Sequence, residues 1–147
     1  MKTSLSKELL RPIAVLVTVL ALSACAQLSA TQSAASVAQI QSGTWVVQLM
    51  NNQATSTPKP TLNFGKNRQL TGNASCNSYF MAYQVQHQKL QIKPGGSTMK
   101  ACLSETTMKQ EQTFLKQLEL VDTWRIDESG KLLLTGKGVS ISATRHE

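Results

Sequence analysis

The chain contains 147 residues, with 15 lysine and arginine residues against 8 acidic residues and a formal net charge of +7 at pH 7. The basic residues are scattered along the sequence, and only 5% of the residues are aromatic. This composition excludes a nucleic-acid surface that combines basic runs with interleaved stacking rings. The length is sufficient for one domain with one hydrophobic core.

The first 25 residues have the order of a secretory leader. A basic start is followed by an apolar run over residues 12–22. That run is shorter than the about 20 apolar residues that a membrane-spanning helix needs, so residues 1–24 are predicted to be a signal peptide. The closing residues, Leu-Ser-Ala-Cys at 22–25, resemble the bacterial lipobox. The resemblance implies that the chain is cut before Cys25 and that the Cys25 thiol is acylated; the alternative is an ordinary cleavage site.

The residues after Cys25 bear on location and on the domain boundary. Ala26 and Gln27 stand where many inner-membrane lipoproteins have an aspartate, so by resemblance we expect the bacterial outer membrane, with the domain facing the periplasm. Residues 25–42 are rich in serine, alanine, glutamine and threonine, which predicts a flexible tether behind the lipid. The folded domain is predicted to be residues 43–147.

The charge of the mature protein is lower than that of the whole chain. The leader carries three basic residues and one acidic residue, so its removal lowers the charge from +7 to +5. A basic surface attracts anionic partners such as a lipid surface, an acidic protein or a polyanion. The alternative, which we favour at this point, is a solvated surface that keeps the protein soluble.

Three cysteines occur in the sequence. A cysteine among glycine, asparagine and serine, as at Cys76, can be a nucleophile, a metal ligand or half of a disulfide. If Cys25 carries lipid, Cys76 and Cys102 remain as a pair in an oxidising compartment, where two thiols that can meet usually oxidise. We therefore predict a disulfide between Cys76 and Cys102.

Period-2 alternation predicts short strands through the first half of the domain. Residues 51–60 are polar and contain two prolines, which predicts a loop, and residues 94–96 (Pro-Gly-Gly) are predicted to end the last of these strands. The predicted strands are Gly43–Met50, Thr61–Phe64, Arg68–Gly72, Phe80–His87 and Lys89–Lys93.

One segment changes to helical spacing, which predicts an amphipathic helix over about Ser104–Leu120. Thr107 and Gln110 have the spacing of a capping box. The predicted apolar face consists of Met108, Phe114, Leu115 and Leu118.

The period-2 pattern returns after the helix. Three more strands are predicted, at Val121–Asp127, Lys131–Thr135 and Val139–Ala143. Strands, one helix and strands again, joined by short turns, predict an α+β, β-rich fold. We expect a small antiparallel barrel-like sheet with the helix packed on or in it.

Several short motifs follow one another along the domain. They are Gly43-Thr44-Trp45, Thr71-Gly72, Cys76-Asn77, Tyr83, Leu90-Gln91-Ile92, Ser97-Thr98, Ala101-Cys102, the predicted helix face with Glu111, and Leu132-Leu133-Leu134. In this order and at these spacings they resemble the META domain, or HslJ-like, family. The sequence departs from the family pattern at Ser75 and Met81, where glycine is usual, and at Lys100, where methionine is usual.

The resemblance implies a small β-rich, barrel-like domain with one helix. Family members include heat-inducible envelope lipoproteins linked to novobiocin tolerance, and proteins linked to secretion or motility. No general catalytic activity is attached to the family.

No catalytic, cofactor-binding or metal site is predicted. His87 stands at a predicted strand end and His146 next to the C-terminus, so neither is well placed as a general base. Close ligand pairs such as C-x-x-C are absent from the sequence. Glu111 lies on the apolar helix face and needs partners, either a strand-end backbone amide or an arginine such as Arg68 or Arg125. We expect a structural clamp between helix and sheet; a polar group in a ligand cavity is the alternative.

The leading hypothesis is a non-enzymatic outer-membrane lipoprotein that supports envelope integrity and stress or antibiotic tolerance by binding an envelope component. Its expected partners are the membrane, through the lipid anchor, and an envelope protein or apolar ligand, but no nucleic acid. One alternative is a carrier or pilot-like module whose barrel holds an acyl chain or an apolar peptide. Another is an inhibitor of a periplasmic or host enzyme that uses the loop at residues 51–60.

Overall fold

The computed structural model describes residues 37–146. The predicted signal peptide, the predicted lipidation site Cys25 and the predicted tether up to residue 36 lie outside the described residues. Within residues 37–146, no helix combines the length and the apolar character needed to cross a membrane.

The described residues form an antiparallel barrel with one long helix. Each strand from β3 to β8 pairs with the next one along the chain. β1 pairs with both β3 and β9 and so closes the barrel, and the short β2 pairs with the end of β1. The predicted fold class is therefore confirmed. The elements are β1 Trp45–Met50, β2 Gln53–Ala54, β3 Thr61–Phe64, β4 Gln69–Asn73, β5 Ser78–Gln86, β6 Lys89–Ser97, α1 Glu105–Leu118, β7 Val121–Ile126, β8 Leu132–Gly136 and β9 Val139–Arg145.

A single hydrophobic core fills the barrel. On β5, for example, Tyr79, Met81 and Tyr83 are buried while the residues between them are exposed, as the two-residue period of a strand requires. Phe114 of α1 packs edge-on against Tyr79, with ring centroids 5.6 Å apart. The buried hydrophobic residues of the described chain all lie between Ile40 and Ala143. These residues form one cluster within the part of the chain that the structure describes.

The barrel has two ends with different coverings. At one end, called the tether end here, lie the helical turn at residues 37–40, the β3–β4 turn at residues 65–68 and the end of β9. At the opposite end, called the helix end, α1 covers the barrel together with the segments at residues 55–60, 74–77 and 98–104. The chain enters the barrel at the tether end.

Residues just before Gly43, the predicted start of the domain, pack against the barrel. Ile40 is fully buried, and its carbonyl accepts a hydrogen bond from the Trp45 indole Nε1 at 2.9 Å. The Gln41 side chain also donates to the Tyr83 hydroxyl at 2.8 Å. Composition alone did not reveal this contact, because one apolar residue in a polar stretch has no visible period.

The predicted end of a strand at residues 94–96 was wrong, because β6 continues to Ser97. Pro94 and Gly95 together lie opposite Met81, since the pairing passes from Ala82–Lys93 to Phe80–Gly96. This is a β-bulge, and a bulge accommodates a proline that cannot donate to the ladder. Gly95 is required for a second reason: a Cβ there would lie 1.9 Å from the Phe80 carbonyl oxygen.

The helix was predicted with the correct extent but with errors in its details. Its N-cap is Ser104, whose side chain accepts from the Thr107 backbone amide at 3.4 Å, so the capping box of Thr107 and Gln110 was wrong. Met108 is 42% exposed rather than part of the core. The buried stripe passes through Phe114 and Leu118, and Met108 lies beside it.

Candidate functional site

A disulfide joins two segments at the helix end. Cys76 lies in the β4–β5 connection and Cys102 in the loop before α1, with their Cα atoms 6.1 Å apart. The two residues are separated by 26 positions in the sequence. The predicted pair is the pair that the structure contains, so neither sulfur is a free thiol.

The Glu111 carboxylate lies beside the disulfide and accepts hydrogen bonds from the same connection. Its Oε2 accepts from the backbone amides of Cys76 at 3.2 Å and of Asn77 at 2.7 Å. Its Oε1 accepts from the Asn77 side-chain Nδ2 at 2.8 Å. The partners are therefore amide groups rather than Arg68 or Arg125, and they tie α1 to the β4–β5 connection.

Asn77 is the junction between this connection and the loop at residues 98–104. Its side chain is only 5% exposed, and its Oδ1 accepts from the Lys100 backbone amide and from the Thr98 hydroxyl, both at 2.8 Å. The Thr98 backbone amide donates to the Ser78 carbonyl at 2.9 Å. The start of the loop is thus fixed by Asn77, its middle by the disulfide at Cys102, and its end by the N-cap of α1.

Gln110 fastens α1 to the third segment of the helix end. Its Oε1 accepts from the Ser56 backbone amide at 2.7 Å, and its Nε2 donates to the Ser56 carbonyl at 2.9 Å and to the Ser75 hydroxyl at 2.8 Å. Ser75 is 3% exposed and has a φ of 109°, in the region that favours glycine. This is the position where the family usually has glycine.

The contacts of the two histidines and the two tryptophans are those of residues that hold the fold together. His87 lies exposed in the β5–β6 turn, and its carbonyl accepts from the Trp124 indole Nε1 at 2.9 Å. Trp45 is fully buried, with the Arg145 guanidinium 4.9 Å from its ring centroid. The backbone amide of His146 donates to the Thr44 carbonyl at 2.8 Å. The two histidines are therefore on separate elements, and both tryptophans belong to the core.

Two side chains have shifted pKa values with clear causes. Burial raises the pKa of the Tyr79 phenol far above its usual value, and its hydroxyl donates to the Thr61 carbonyl at 2.8 Å. The pKa of Asp127 is lowered, first by the hydrogen bond from the Ser129 hydroxyl and then by the Lys131 backbone amide. Both groups stabilise the fold, since Tyr79 lies in the core and Asp127 in the β7–β8 turn.

Among the described residues, Cys76, Cys102 and Glu111 are close enough together to hold a metal ion, but each of them already has another partner. The sulfur atoms of Cys76 and Cys102 and a carboxylate oxygen of Glu111 lie within 4.8 Å of one another. The two sulfurs share a covalent bond, and both Glu111 oxygens accept hydrogen bonds. In this form the cluster offers no thiolate, which is the form of cysteine that binds metals.

Two open grooves lie on the surface of the described residues. One, of about 610 Å³, runs beside the β5–β6 hairpin, and its lining mixes three glutamines with charged and apolar residues, among them Arg68, Lys89 and Leu90. The other, of about 400 Å³, lies between α1 and the β1–β2 turn, near Lys109 and Thr113. Neither is an enclosed apolar cavity.

Sequence reasoning identified Cys76, Cys102 and Glu111 but missed Asn77 and Gln110 as members of the same network. The cue for Asn77 was its position next to Cys76 in a motif. Gln110 had a cue only as part of a capping box, and that interpretation was wrong.

Comparison with known families matches residues 38–147 to the META domain. No curated protein matches the chain. Three solved structures share the fold: an NMR structure of a protein from Burkholderia xenovorans, an NMR structure described only as that of a protein, and a crystal structure of a DUF4847 family protein from Bacteroides vulgatus ATCC 8482.

The Burkholderia xenovorans structure has a TM-score of 0.61 and 20% identity, and the match covers 75% of this chain and 87% of that one. The second NMR structure has a TM-score of 0.57 and 17% identity, with 74% and 92% covered. The Bacteroides vulgatus structure has a TM-score of 0.53 and 14% identity, with 73% and 94% covered. These similarities establish the fold, and the family match over residues 38–147 shows that the chain belongs to the META domain family.

Proposed function

We propose that the protein is a lipid-anchored protein of the outer membrane that faces the periplasm and supports envelope integrity under stress. Its META domain would act by binding an envelope component rather than by catalysis. The observation that carries this proposal is that the thiols and the carboxylate at the helix end, which could otherwise act in catalysis, are bonded to other groups of the fold. The two cysteines form a disulfide, and Glu111 accepts three hydrogen bonds from the neighbouring connection.

The location rests on the leader and on the residues after it. The sequence at 22–25 resembles a lipobox, and Ala26 and Gln27 lack the aspartate of many inner-membrane lipoproteins. Several acyl chains on one cysteine anchor a protein stably, because each buried methylene contributes about 0.8 kcal/mol.

A carrier function has less support than binding at the surface. The barrel interior is occupied by large buried side chains, among them Trp45, Phe64 and Tyr83. A carrier for an acyl chain needs an apolar cavity of several hundred cubic ångströms. Both grooves described above lie outside the core and have many polar lining groups.

An inhibitory loop at residues 51–60 also has less support. Thr55 and Pro60 of this segment are buried, and Ser56 bonds to Gln110 in both directions. Part of the segment is therefore bonded to α1 at the helix end, while residues 51–54 and 56–58 are exposed.

The test is complementation of a strain that lacks the gene, grown under heat or with novobiocin. The wild-type gene is expected to restore growth, and Cys25→Ala to fail at an equal protein level, because the unacylated chain is not held at the membrane. Ser29→Ala, a single substitution in the same polar stretch that removes no cysteine, serves as the control and is expected to restore growth. Full restoration by Cys25→Ala would refute the anchored function, and hydrolysis of a generic ester or peptide that Cys76→Ser abolishes would refute the non-enzymatic one.

A further inference from the structure

The loop at residues 98–104 holds two large apolar side chains fully in solvent. Met99 is 97% exposed and Leu103 is 107% exposed, the highest values among the exposed large hydrophobic residues of the described chain. Met108, at the start of the helix that follows the loop, is 42% exposed. We call Met99, Leu103 and Met108 the apolar tip. Scattered single apolar residues are ordinary on a surface, whereas these three exposed residues follow one another closely in the sequence, and grouped exposed apolar residues mark an interaction site.

The loop is held in this conformation rather than left to collapse onto the barrel. Asn77 accepts hydrogen bonds from the Thr98 hydroxyl and the Lys100 backbone amide, and the Thr98 backbone amide donates to the Ser78 carbonyl. The disulfide then holds Cys102, and Ser104 caps α1. Because the backbone is held on both sides of Met99 and Leu103, binding through these side chains has a lower backbone-ordering cost.

Two exposed lysines lie next to the apolar tip in the sequence. Lys100 follows Met99 and Lys109 follows Met108, against one exposed acidic residue within residues 98–111, Glu105, while Glu111 is half-buried. Exposed apolar side chains beside lysines match an anionic phospholipid surface, where the apolar groups enter the acyl boundary and the ammonium groups remain among the phosphates.

We propose that the apolar tip inserts into the surface of an anionic phospholipid bilayer, with Lys100 and Lys109 contacting the headgroups. The membrane as partner rests on the proposed function, although the binding itself needs no acylation. Cys25 is followed by 11 residues before the first described one, and an extended chain spans at most about 3.6 Å per residue. A tether of up to about 40 Å lets the helix end reach the membrane although the chain enters at the opposite end.

A second copy of the chain fits the tip less well. A symmetric contact would place Lys100 and Lys109 of one copy against the same lysines of the other, and like charges in a contact are unfavourable. An anionic bilayer instead pairs these charges with phosphates.

The test is flotation of the chain from residue 26, which keeps every residue of the described core, with phosphatidylcholine vesicles that contain or lack phosphatidylglycerol. We expect binding only to the anionic vesicles, weakened at about 0.5 M salt because salt screens the lysines. The double variant Met99→Ser and Leu103→Ser should bind about tenfold more weakly, and Lys100→Gln about fivefold more weakly. Leu49→Ser, which alters a partly exposed leucine on the barrel wall, is the matched control and should bind like the wild type.

Equal binding by the double variant and the wild type, or no preference for anionic vesicles, would overturn the proposal. Self-association that Met99→Ser and Leu103→Ser abolish, without vesicle binding, would overturn it in favour of a second copy. Such a failure would leave the acylation of Cys25 and the complementation result unaffected, so it is distinguishable from failure of the proposed function.

Discussion

The Glu111 carboxylate connects the helix to the sheet through three hydrogen bonds from Cys76 and Asn77. It is half-buried, so its negative charge needs these donors. A hydrogen bond to a charged group contributes about 1.5–3 kcal/mol to stability, roughly twice the contribution of a neutral one. The same residue therefore also positions Asn77, on which the loop at residues 98–104 depends.

Glu111→Gln is expected to lower the free energy of unfolding by about 2 kcal/mol, because the new NH₂ group faces an amide donor. Urea denaturation followed by circular dichroism measures the loss. The control is Glu105→Gln in the first turn of the same helix, where the carboxylate is exposed and interacts with the helix dipole at about 0.5 kcal/mol. Equal losses in the two variants would contradict the role of Glu111 as a clamp.

Ser75 combines an unfavourable backbone conformation with a useful hydroxyl. Its φ of 109° is strained for a residue with a side chain, and its Oγ accepts from Gln110. Ser75→Ala should therefore cost about 1–2 kcal/mol of stability, since it keeps the strain and loses the hydrogen bond. Ser75→Gly loses the same bond but relieves the strain, so it should be more stable than Ser75→Ala by about 1 kcal/mol. Urea denaturation of the two variants decides this, and the reverse order would show that the backbone is not strained there.

Strand β6 shows how a tertiary contact can override a local signal. Proline followed by two glycines usually ends a strand, yet here the three residues continue β6 through a bulge. The bulge forms because β5 supplies a paired neighbour on both sides of it. No local property of residues 94–96 contains that information.

Gly95→Ala is expected to destabilise the protein by about 2–3 kcal/mol, because its Cβ would meet the backbone oxygen of Phe80. Gly96→Ala is the matched control: its Cβ would meet only the ring of Phe80, which is 60% exposed and can move, so we expect about 1 kcal/mol or less. The midpoints of thermal unfolding compare the two. A larger loss for Gly96→Ala would mean that the bulge is not formed as described.

Helical and strand periods predicted most of the elements, because each element places one apolar face in a common core. The extent of α1 and the strands after it agree closely with the prediction. The polar connections were harder to predict. Gln110 bonds to Ser56 and Ser75, which are 54 and 35 positions away, and its spacing to Thr107 carried a misleading signal. Such contacts depend on which loops meet at one end of the closed barrel.

The barrel as a whole separates the entry of the chain from the network of Glu111 and Asn77. Antiparallel strands place consecutive connections at alternate ends, so the disulfide, the network and the apolar tip all lie at the helix end. Two of the candidate site residues, Cys76 and Cys102, could be predicted from the sequence. Three cysteines, one of them predicted to carry lipid, leave a single pair in an oxidising compartment. Asn77 was not, since its burial and its contacts with the loop at residues 98–104 arise only when the barrel closes.

Intact mass spectrometry of the protein extracted from membranes without reductant tests the central claim, an acylated META domain closed by a disulfide. The account predicts a chain that begins at Cys25, carries the mass of a diacylglyceryl group and an N-acyl chain, and lacks two hydrogens because Cys76 and Cys102 are joined. A chain that begins elsewhere, an unmodified Cys25, or two free thiols in the exported protein would contradict it.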